Sequence, residues 1–273
     1  MDETETFQLN NIGEFEYFNI PKFDSAGKRD VFTFFSTRNG GVSEGCYSSL
    51  NLGTKKLDDK RNVRENYEIL CRKLNFDIES FAFSDQIHRD NILRVAHSDA
   101  AFPLFKQKIF NADALITDDR DLPLITFYAD CVPLYFFDPV NEVIGLAHAG
   151  WRGTVMQIGP KVVKKMTEQF GTDPGKLLAA IGPSIGECCY EVGQDVYEIF
   201  LDKFKKYTGW YRTNENKYML NLRECNSLQL TEGGIKTDNI YVSNLCTSCN
   251  ERYFYSYRRD GKTGLHCAII MLR

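Results

Sequence analysis

The sequence predicts a fold that mixes α-helices and β-strands, either α+β or mixed α/β. Three apolar segments, 124–128, 132–137 and 143–147, are rich in β-branched and aromatic residues and long enough to form buried strands. Elsewhere, as in 63–74, apolar residues recur at helical spacing. The segments do not follow a strict βαβ rhythm. Because no linker or internal repeat divides the 273 residues, we expect one domain over 1–273.

Composition and charge exclude several classes of protein. The chain is 43% hydrophobic and 26% charged, which is typical of a globular protein. Its net charge of −4 indicates no basic surface suited to nucleic acid. The acidic first residues do not resemble a signal peptide, and no apolar run reaches the roughly 18–20 residues of a membrane helix. Nine cysteines without a secretion signal predict reduced thiols. We therefore expect a cytoplasmic protein with neither membrane nor nucleic acid as partner; its oligomeric state stays open.

The amino-terminal half begins with predicted strands. Clusters of aromatic and β-branched residues predict strands at 7–20 and 31–37. Further strands are predicted at 81–88, which ends in a histidine, at 92–96, and at 111–118, which consists of small residues bounded by carboxylates. The glycine-containing segment 37–41 predicts a sharp turn where backbone can approach a ligand. A helix is expected after Asp58, because apolar residues recur there at helical spacing with charges on the other face.

The carboxy-terminal half contributes helices and further strands. Helical spacing continues over 155–170, but Gly159-Pro160 interrupts it, so this helix is either kinked or begins at Pro160. A second amphipathic helix is predicted at 196–204, and Asn221 with Glu224 has the spacing of a capping box for a third. The remaining predicted strands are 177–181, 240–243, 253–257 and 268–272.

A metal site is the first functional hypothesis. Only four histidines are present, and two of them, His88 and His148, each end a predicted strand. With Cys131 they form a His₂Cys set that leaves one tetrahedral position open, as in catalytic zinc sites. Their spacing matches no short zinc motif, so two ordinary histidines and a buried thiol remain an alternative. Cys131 could instead be a catalytic nucleophile with His148 as its base.

The other cysteines and the arginines carry weaker signals. The CTSC segment at 246–249, with His266-Cys267 downstream, allows a second zinc site or a redox pair, but ordinary thiols are the favoured interpretation. The vicinal pair Cys188-Cys189 indicates no particular function. Four arginines lie in or beside glycine-rich or aromatic turns: Arg38, Arg152, Arg258 and Arg259. A guanidinium in such a position suits a phosphate or carboxylate, which it binds bidentately.

Seven segments occur in the order seen in one known family. They are TRNGGVSEG with SSLNLG (37–53), QIH (86–88), NADALIT (111–117), YADCVPL (128–134), HAGWRG (148–153), IGPSIGECCYEVG (181–193) and FYSYRRDGKTG (254–264). From about residue 30 onward the chain resembles the family long described as laccase-domain or multicopper polyphenol oxidases, now regarded as purine nucleoside phosphorylases of the YfiH/YlmD type. The combination of ADC with HAGWRG is highly specific.

The resemblance implies a single-domain layered α/β/β/α sandwich with mixed sheets, and one Zn²⁺ per chain, which Cu²⁺ could replace. The family's metal ligands fall on His88, Cys131 and His148. The implied activities are phosphorolysis of adenosine, inosine and S-methyl-5′-thioadenosine, with hydrolytic deamination of adenosine. The partners are then purine nucleosides and phosphate.

Site roles follow from these reactions. Asp130 or Glu191 would move a proton during deamination. The expected substrate-binding residues are Arg38, Asn51, Arg152 and Arg258, with Arg38 and Arg258 assigned to phosphate.

Two rival activities remain open. A true multicopper polyphenol oxidase needs several histidines beyond a His₂Cys centre, and the four present argue against it; a single His₂Cys site could still bind Cu²⁺ and then support weak oxidation. A hydrolase that edits peptidoglycan precursors would differ in substrate rather than in metal ligands, so the sequence does not exclude it.

Overall fold

The computed structural model describes residues 6–24, 26, 30–54, 58–83, 85–101, 111–214 and 217–273. The strands in this part of the chain are β1 (Gln8–Ile12), β2 (Phe15–Asn19), β3 (Val31–Ser36), β4 (Ala82–Phe83), β5 (Ile92–Arg94), β6 (Ala114–Thr117), β7 (Leu124–Tyr128), β8 (Val132–Asp138), β9 (Val143–Ala149), β10 (Leu178–Ile181), β11 (Glu191–Val192), β12 (Tyr211–Asn214), β13 (Lys217–Leu220), β14 (Ile240–Val242) and β15 (His266–Leu272). The helices are α1 (Pro21–Asp24), α2 (Lys60–Leu74), α3 (Trp151–Val155), α4 (Ile158–Phe170), α5 (Gln194–Phe204), α6 (Leu222–Glu232) and α7 (Tyr257–Asp260). Short 3₁₀ turns occur at Gly45–Tyr47, His97–Asp99 and Thr237–Asn239.

Two six-stranded sheets form the centre of the molecule. The first has the order β1-β2-β3-β15-β7-β4 and the second β14-β10-β8-β9-β6-β5, while β11-β13-β12 form a small third sheet. Most neighbours are antiparallel, but β4 with β7, β5 with β6 and β10 with β14 run parallel. The sheets are therefore mixed, as predicted.

The apolar residues of each central strand alternate between two cores. Tyr135 and Phe137 of β8 belong to the cluster between the two sheets, whereas Leu134 and Phe136 pack toward α4 and α6. On the other outer side, α2 packs on the first sheet. Strands buried on both faces are apolar throughout, which explains the uninterrupted apolar runs of the sequence. The layers confirm the α+β, α/β/β/α class.

Local sequence signals set the helix ends. Asp59 accepts the backbone N–H of Arg61 at the start of α2, and Asn75 ends this helix in the left-handed conformation. Asn221 accepts the N–H of Glu224 at 3.1 Å and begins α6, as its spacing predicted. None of the helices in the described part of the chain combines the length and apolar character needed to span a bilayer.

The break near Pro160 differs from both predicted forms. The chain turns at Gln157, which has a φ of +60°, and α4 starts at Ile158. Pro160 thus lies in the first helical turn, where its missing N–H removes no intrahelical bond. The preceding turn of helix is separate and forms α3.

Two predicted strands are wrong in extent or kind. Of 81–88, only Ala82–Phe83 is strand; 85–87 form irregular loop and His88 has a φ of +56°, while residue 84 lies outside the described residues. The predicted strand at 253–257 is a turn that leads into α7. In both places, side-chain hydrogen bonds replace strand pairing, and these bonds belong to the site described next.

Candidate metal centre and active site

The structure brings together the three predicted metal ligands from separate elements. His88 lies in the loop after β4, Cys131 immediately precedes β8, and His148 lies in β9. One potential ligand atom from each residue lies within 4.8 Å of the other two. The histidine rings are nearly perpendicular, at 80°, with centroids 4.7 Å apart. His148 is buried, whereas His88 is exposed, so the set is accessible from one side.

Asp113 holds two of these ligands in place. Asp113 Oδ1 accepts two hydrogen bonds, one from Nδ1 of His148 at 2.9 Å and one from the backbone N–H of His88 at 3.0 Å. Its Oδ2 accepts the N–H groups of Ile87 at 3.2 Å and Arg89 at 2.8 Å. This bonding leaves Nε2 of His148 facing the other ligands, and it explains why the His88 loop leaves the sheet. Sequence reasoning missed Asp113, although its NADALIT segment was recognised.

Gly150 leaves the space in which the three ligands meet. A β-carbon here would lie 3.2 Å from Cys131 Sγ, 3.2 Å from His88 Nδ1 and 3.7 Å from His148 Cε1. Its φ of −68° is open to any residue, so packing rather than backbone conformation requires glycine. The ligand atoms therefore converge on a point that a side chain would obstruct.

The electrostatics of the set favour a cation. Burial alone would lower the pKa of His148, but Cys131 and Asp113 raise it to about 9. Burial likewise opposes ionisation of Asp113, yet its bonds from His148 and the backbone hold its pKa below the ordinary value. A thiol and two imidazoles are the donor set of a His₂Cys zinc site, and a carboxylate hydrogen-bonded to a ligand histidine commonly orients it in such sites. The residues thus fit the predicted metal.

Asp130 joins three segments beside this set. It has a φ of +85°, and its carboxylate accepts Thr247 Oγ1 at 2.7 Å, Ser256 Oγ at 3.0 Å and the backbone N–H of Arg258 at 2.7 Å. Ser256 in turn caps α7. These bonds explain why the chain forms a turn and helix where a strand was predicted. Asp130 fixes the position of Cys131 relative to α7.

Arginines from three segments lie around this region. Arg258 donates through Nη1 to the carbonyl of Glu191 at 2.7 Å and lies over the ring of Tyr190. Burial raises the pKa of Tyr190; Cys131 and Asp130 raise it further, whereas Arg258 and Arg152 oppose the rise. Tyr190 is therefore close to the Cys131 thiol and to Arg258 and Arg152, a placement that sequence reasoning did not predict.

Arg38 approaches from the loop that follows β3. It donates to the carbonyls of Ser48 at 3.0 Å and Glu251 at 3.4 Å, and it lies 4.9 Å from the ring centre of Tyr255. Tyr255 directly precedes Ser256, which bonds Asp130. These contacts place Arg38 on the same side of the molecule as the turn before α7.

Asn51 and Glu191 have partners within the protein. Asn51 is buried; its amide donates to Asp58 at 2.9 Å and accepts the N–H groups of Gly53 and Leu265. This bonding stabilises the loop. The exposed carboxylate of Glu191 pairs with Lys217 at 2.9 Å.

Four further cysteines converge, which the sequence did not predict. Cys188, Cys189, Cys246 and Cys249 have sulfur atoms within 4.8 Å of one another. They come from segments 57 residues apart in the chain at their nearest. Spacing gave no signal for this pairing, because only the packing of β10 beside β14 brings the two segments together.

The fold and site define a class: a two-sheet α+β protein with an accessible His₂Cys ligand set held by a buried carboxylate. Residues 32–273 match the family described as multi-copper polyphenol oxidoreductase laccase, and the chain belongs to this family.

Relatives agree over nearly the whole length. The chain is 37% identical to purine nucleoside phosphorylase YlmD of Bacillus subtilis (strain 168), covering 90% of each chain. It is 38% identical to the protein of the same name from Geobacillus stearothermophilus, covering 86% of this chain and 88% of that one. The crystal structure of YlmD from Geobacillus stearothermophilus superposes with a TM-score of 0.91 at 35% identity, covering 98% of this chain and 99% of that one.

Proposed function

We propose that the protein is a zinc-dependent purine nucleoside phosphorylase that also deaminates adenosine. The observation that carries the proposal is the His88–Cys131–His148 set with Asp113 behind it and arginines beside it. The relatives named purine nucleoside phosphorylase support the reaction class. The proposed substrates are adenosine, inosine and S-methyl-5′-thioadenosine, with phosphate as the second substrate.

Phosphorolysis needs an oxyanion site near the bound nucleoside. Phosphate attacks the anomeric carbon while positive charge develops on the sugar, so the phosphate must be held close and in line. Arg38 and Arg258 are the residues proposed to hold it, since guanidinium groups bind phosphate oxygens bidentately, and Arg152 is proposed as a further substrate-binding residue. Tyr190, which lies beside Arg258, is proposed to offer an aromatic face against which the substrate packs.

Deamination needs a hydroxide and a proton carrier. A zinc ion bound by the three ligands would supply the hydroxide by lowering the pKa of water. Of the two proposed carriers, Asp130 already accepts three hydrogen bonds, while Glu191 has an exposed carboxylate that can exchange protons with solvent. We therefore assign proton transfer to Glu191 and positioning to Asp130. A nucleophilic Cys131 is the alternative if the protein proves active without metal.

Oxidase chemistry is the second candidate because of the family description. Only His88 and His148 belong to the ligand set; His97 lies in an exposed turn, and His266 accepts the N–H of Tyr255 through Nε2 at 2.7 Å. Cu²⁺ can replace Zn²⁺ at a single His₂Cys site, since copper binds most such ligands more tightly. We propose that oxidation by the copper form is incidental.

One assay tests these assignments. Zinc-loaded, copper-free protein is incubated with adenosine and with inosine, with and without phosphate, and the products are identified. We expect free base and ribose 1-phosphate only with phosphate, inosine from adenosine without it, and negligible oxidation of phenols. Cys131→Ala should lose both nucleoside activities, whereas Cys46→Ala, which removes an exposed thiol outside both cysteine-containing clusters, should keep its metal. Robust phenol oxidation by zinc-only protein, or no turnover of any nucleoside, would contradict the proposal.

A further inference from the structure

A second group of potential ligands lies outside the candidate active site. It consists of Cys188, Cys189, Cys246 and Cys249, which we call the thiol cluster. Cys188 Sγ and Cys189 Sγ lie 3.5 Å and 3.4 Å from Cys249 Sγ. All four sulfurs lie within 4.8 Å of one another. Cys246 is buried, and the other three are half-buried or exposed, so an ion can reach the cluster.

The sulfur separations distinguish a metal site from disulfides. A disulfide requires sulfurs about 2.05 Å apart. Four sulfurs around a tetrahedral zinc, each about 2.3 Å from it, lie about 3.8 Å from one another. The observed 3.4 and 3.5 Å separations are close to the second value and far from the first. A set of four sulfurs in this geometry is typical of zinc or iron.

The backbone around the thiol cluster is ordered by its own hydrogen bonds. The N–H of Thr247 donates to the carbonyl of Ser184 at 3.1 Å, which joins the two cysteine-bearing segments. The N–H of Gly186 donates to Cys246 Sγ at 3.2 Å, and the N–H of Cys249 donates to the same sulfur. Hydrogen bonds from backbone N–H groups to sulfur stabilise a thiolate, the form that binds metal.

Charge near the thiol cluster also suits a metal thiolate. Zinc with four thiolates carries a net charge of about −2, which needs nearby positive charge. Arg223 supplies this positive charge, because its guanidinium and the Cys188 sulfur lie beside the same glycine. A β-carbon placed on Gly186 would lie 2.9 Å from Arg223 Nη2 and 3.2 Å from Cys188 Sγ. Burial lowers the pKa of Arg223, while Cys246 and Cys188 raise it. Arg223 is fixed there by bonds from Nη1 to the carbonyls of Ser243 and Leu245.

We propose that Cys188, Cys189, Cys246 and Cys249 together bind one structural zinc ion, distinct from the metal held by the His₂Cys set. A closed set of four cysteines leaves no position for substrate, which is the arrangement of structural sites. When the ion binds, the thiols that are still protonated release their protons to solvent, and no oxidation state changes.

The location gives this zinc a positioning role. The carbonyl of Cys189 accepts Arg258 Nη1 at 3.4 Å, and Thr247, next to Cys246, donates to Asp130 at 2.7 Å. The two segments that the zinc would join therefore contact the base of α7 and the turn before Cys131. Loss of the ion should loosen Arg258 and Asp130 without removing any ligand of the first site.

Metal counting separates this proposal from the proposed function. Protein produced with zinc and purified under reducing conditions should contain two zinc ions per chain by elemental analysis. Cys249→Ala and Cys131→Ala should each retain about one ion, and Cys46→Ala should retain two. One ion per chain in the native protein, lost in Cys131→Ala and kept in Cys249→Ala, would overturn the proposal. Iron in place of zinc, or a mass showing loss of hydrogens from disulfide formation, would also overturn it.

Cobalt provides a second measurement if Cys249→Ala does not fold. Cys131→Ala protein, stripped and reloaded with Co²⁺ in reducing buffer, should retain the intense sulfur-to-cobalt absorption of a four-thiolate site. Because this variant lacks the thiolate of the first site, that absorption can come only from the thiol cluster. Absence of this absorption, together with loss of bound cobalt, would refute the second site, because four thiolates bind such an ion tightly.

Discussion

Replacing Asp113 with asparagine should weaken metal binding at the His₂Cys set while leaving its three ligands in the chain. Asp113 Oδ1 accepts His148 and the N–H of His88, and Oδ2 accepts the N–H groups of Ile87 and Arg89. An asparagine amide has one oxygen and one NH₂ group in these two places. In either orientation the NH₂ group faces two donors, so hydrogen bonds are lost inside a fully buried site.

The magnitude follows from these contacts. Each buried donor left unsatisfied costs about 1–3 kcal/mol, so Asp113→Asn should lower the free energy of unfolding by about 2–4 kcal/mol after partial relaxation. Loss of a residue that orients a ligand typically weakens metal binding about 10–100-fold. The orientation of His148 and the His88 loop both change, so we expect the upper part of that range.

The assay is zinc affinity by competition with a chromogenic chelator, alongside urea unfolding of the metal-free protein. Asp118→Asn is the matched control: its carboxylate lies one residue beyond β6 and forms an exposed ion pair with Arg94 at 2.9 Å. This control should bind zinc like the native protein. If Asp113→Asn also binds zinc with native affinity, Asp113 does not position the ligands and the reasoning fails.

Three further predictions concern space, phosphate and pH. Gly150→Ala should weaken zinc binding about tenfold without loss of fold, because a β-carbon meets two ligand atoms at 3.2 Å; native affinity in the chelator competition would show that the site can expand. Arg38→Ala and Arg258→Ala should each raise the KM for phosphate about 10–100-fold while sparing adenosine deamination and zinc content, since one charge-assisted contact contributes about 1.5–3 kcal/mol; an equal fall in both activities would refute the phosphate assignment. Burial, with the charge of Arg38 second, lowers the pKa of His266 from 6.5 to about 3. The unfolded chain therefore binds the extra proton first, and stability should fall by about 2 kcal/mol from pH 7 to pH 5 through this group; urea unfolding of His266→Gln, which keeps a hydrogen-bond acceptor, should show a shallower pH dependence, and an unchanged slope would contradict the assignment.

The sequence alone predicted features that depend on local pattern or on rare residue types. The apolar runs of β7, β8 and β9 identified the central strands, because a strand buried on both faces carries no polar alternation. The scarcity of histidine singled out His88 and His148, and their placement beside predicted strands with Cys131 gave the ligand set that the structure brings together. The order of the motifs pointed to the family that the chain matches.

Only the tertiary structure decided which residues support that set. Asp113 looked like a strand boundary, and its role became visible when its carboxylate was found beneath His148 and the His88 loop. The side-chain amide of Asn51, a residue predicted to bind substrate, forms hydrogen bonds to Asp58 and Gly53 in the same loop. Tyr190 gave no periodic or motif signal of its own, yet it lies beside the predicted arginines. Such roles depend on hydrogen bonds between distant segments, which residue spacing does not encode.

The thiol cluster shows the same limit most clearly. A CxxC at 246–249 and a vicinal pair at 188–189 are each weak signals, because a metal site needs both at once. They meet because β10 pairs in parallel with β14, and the segments that follow the two strands therefore leave the sheet at the same end. Local sequence determined the strands, turns and thiols, whereas strand pairing across the sheet decided which of them became neighbours.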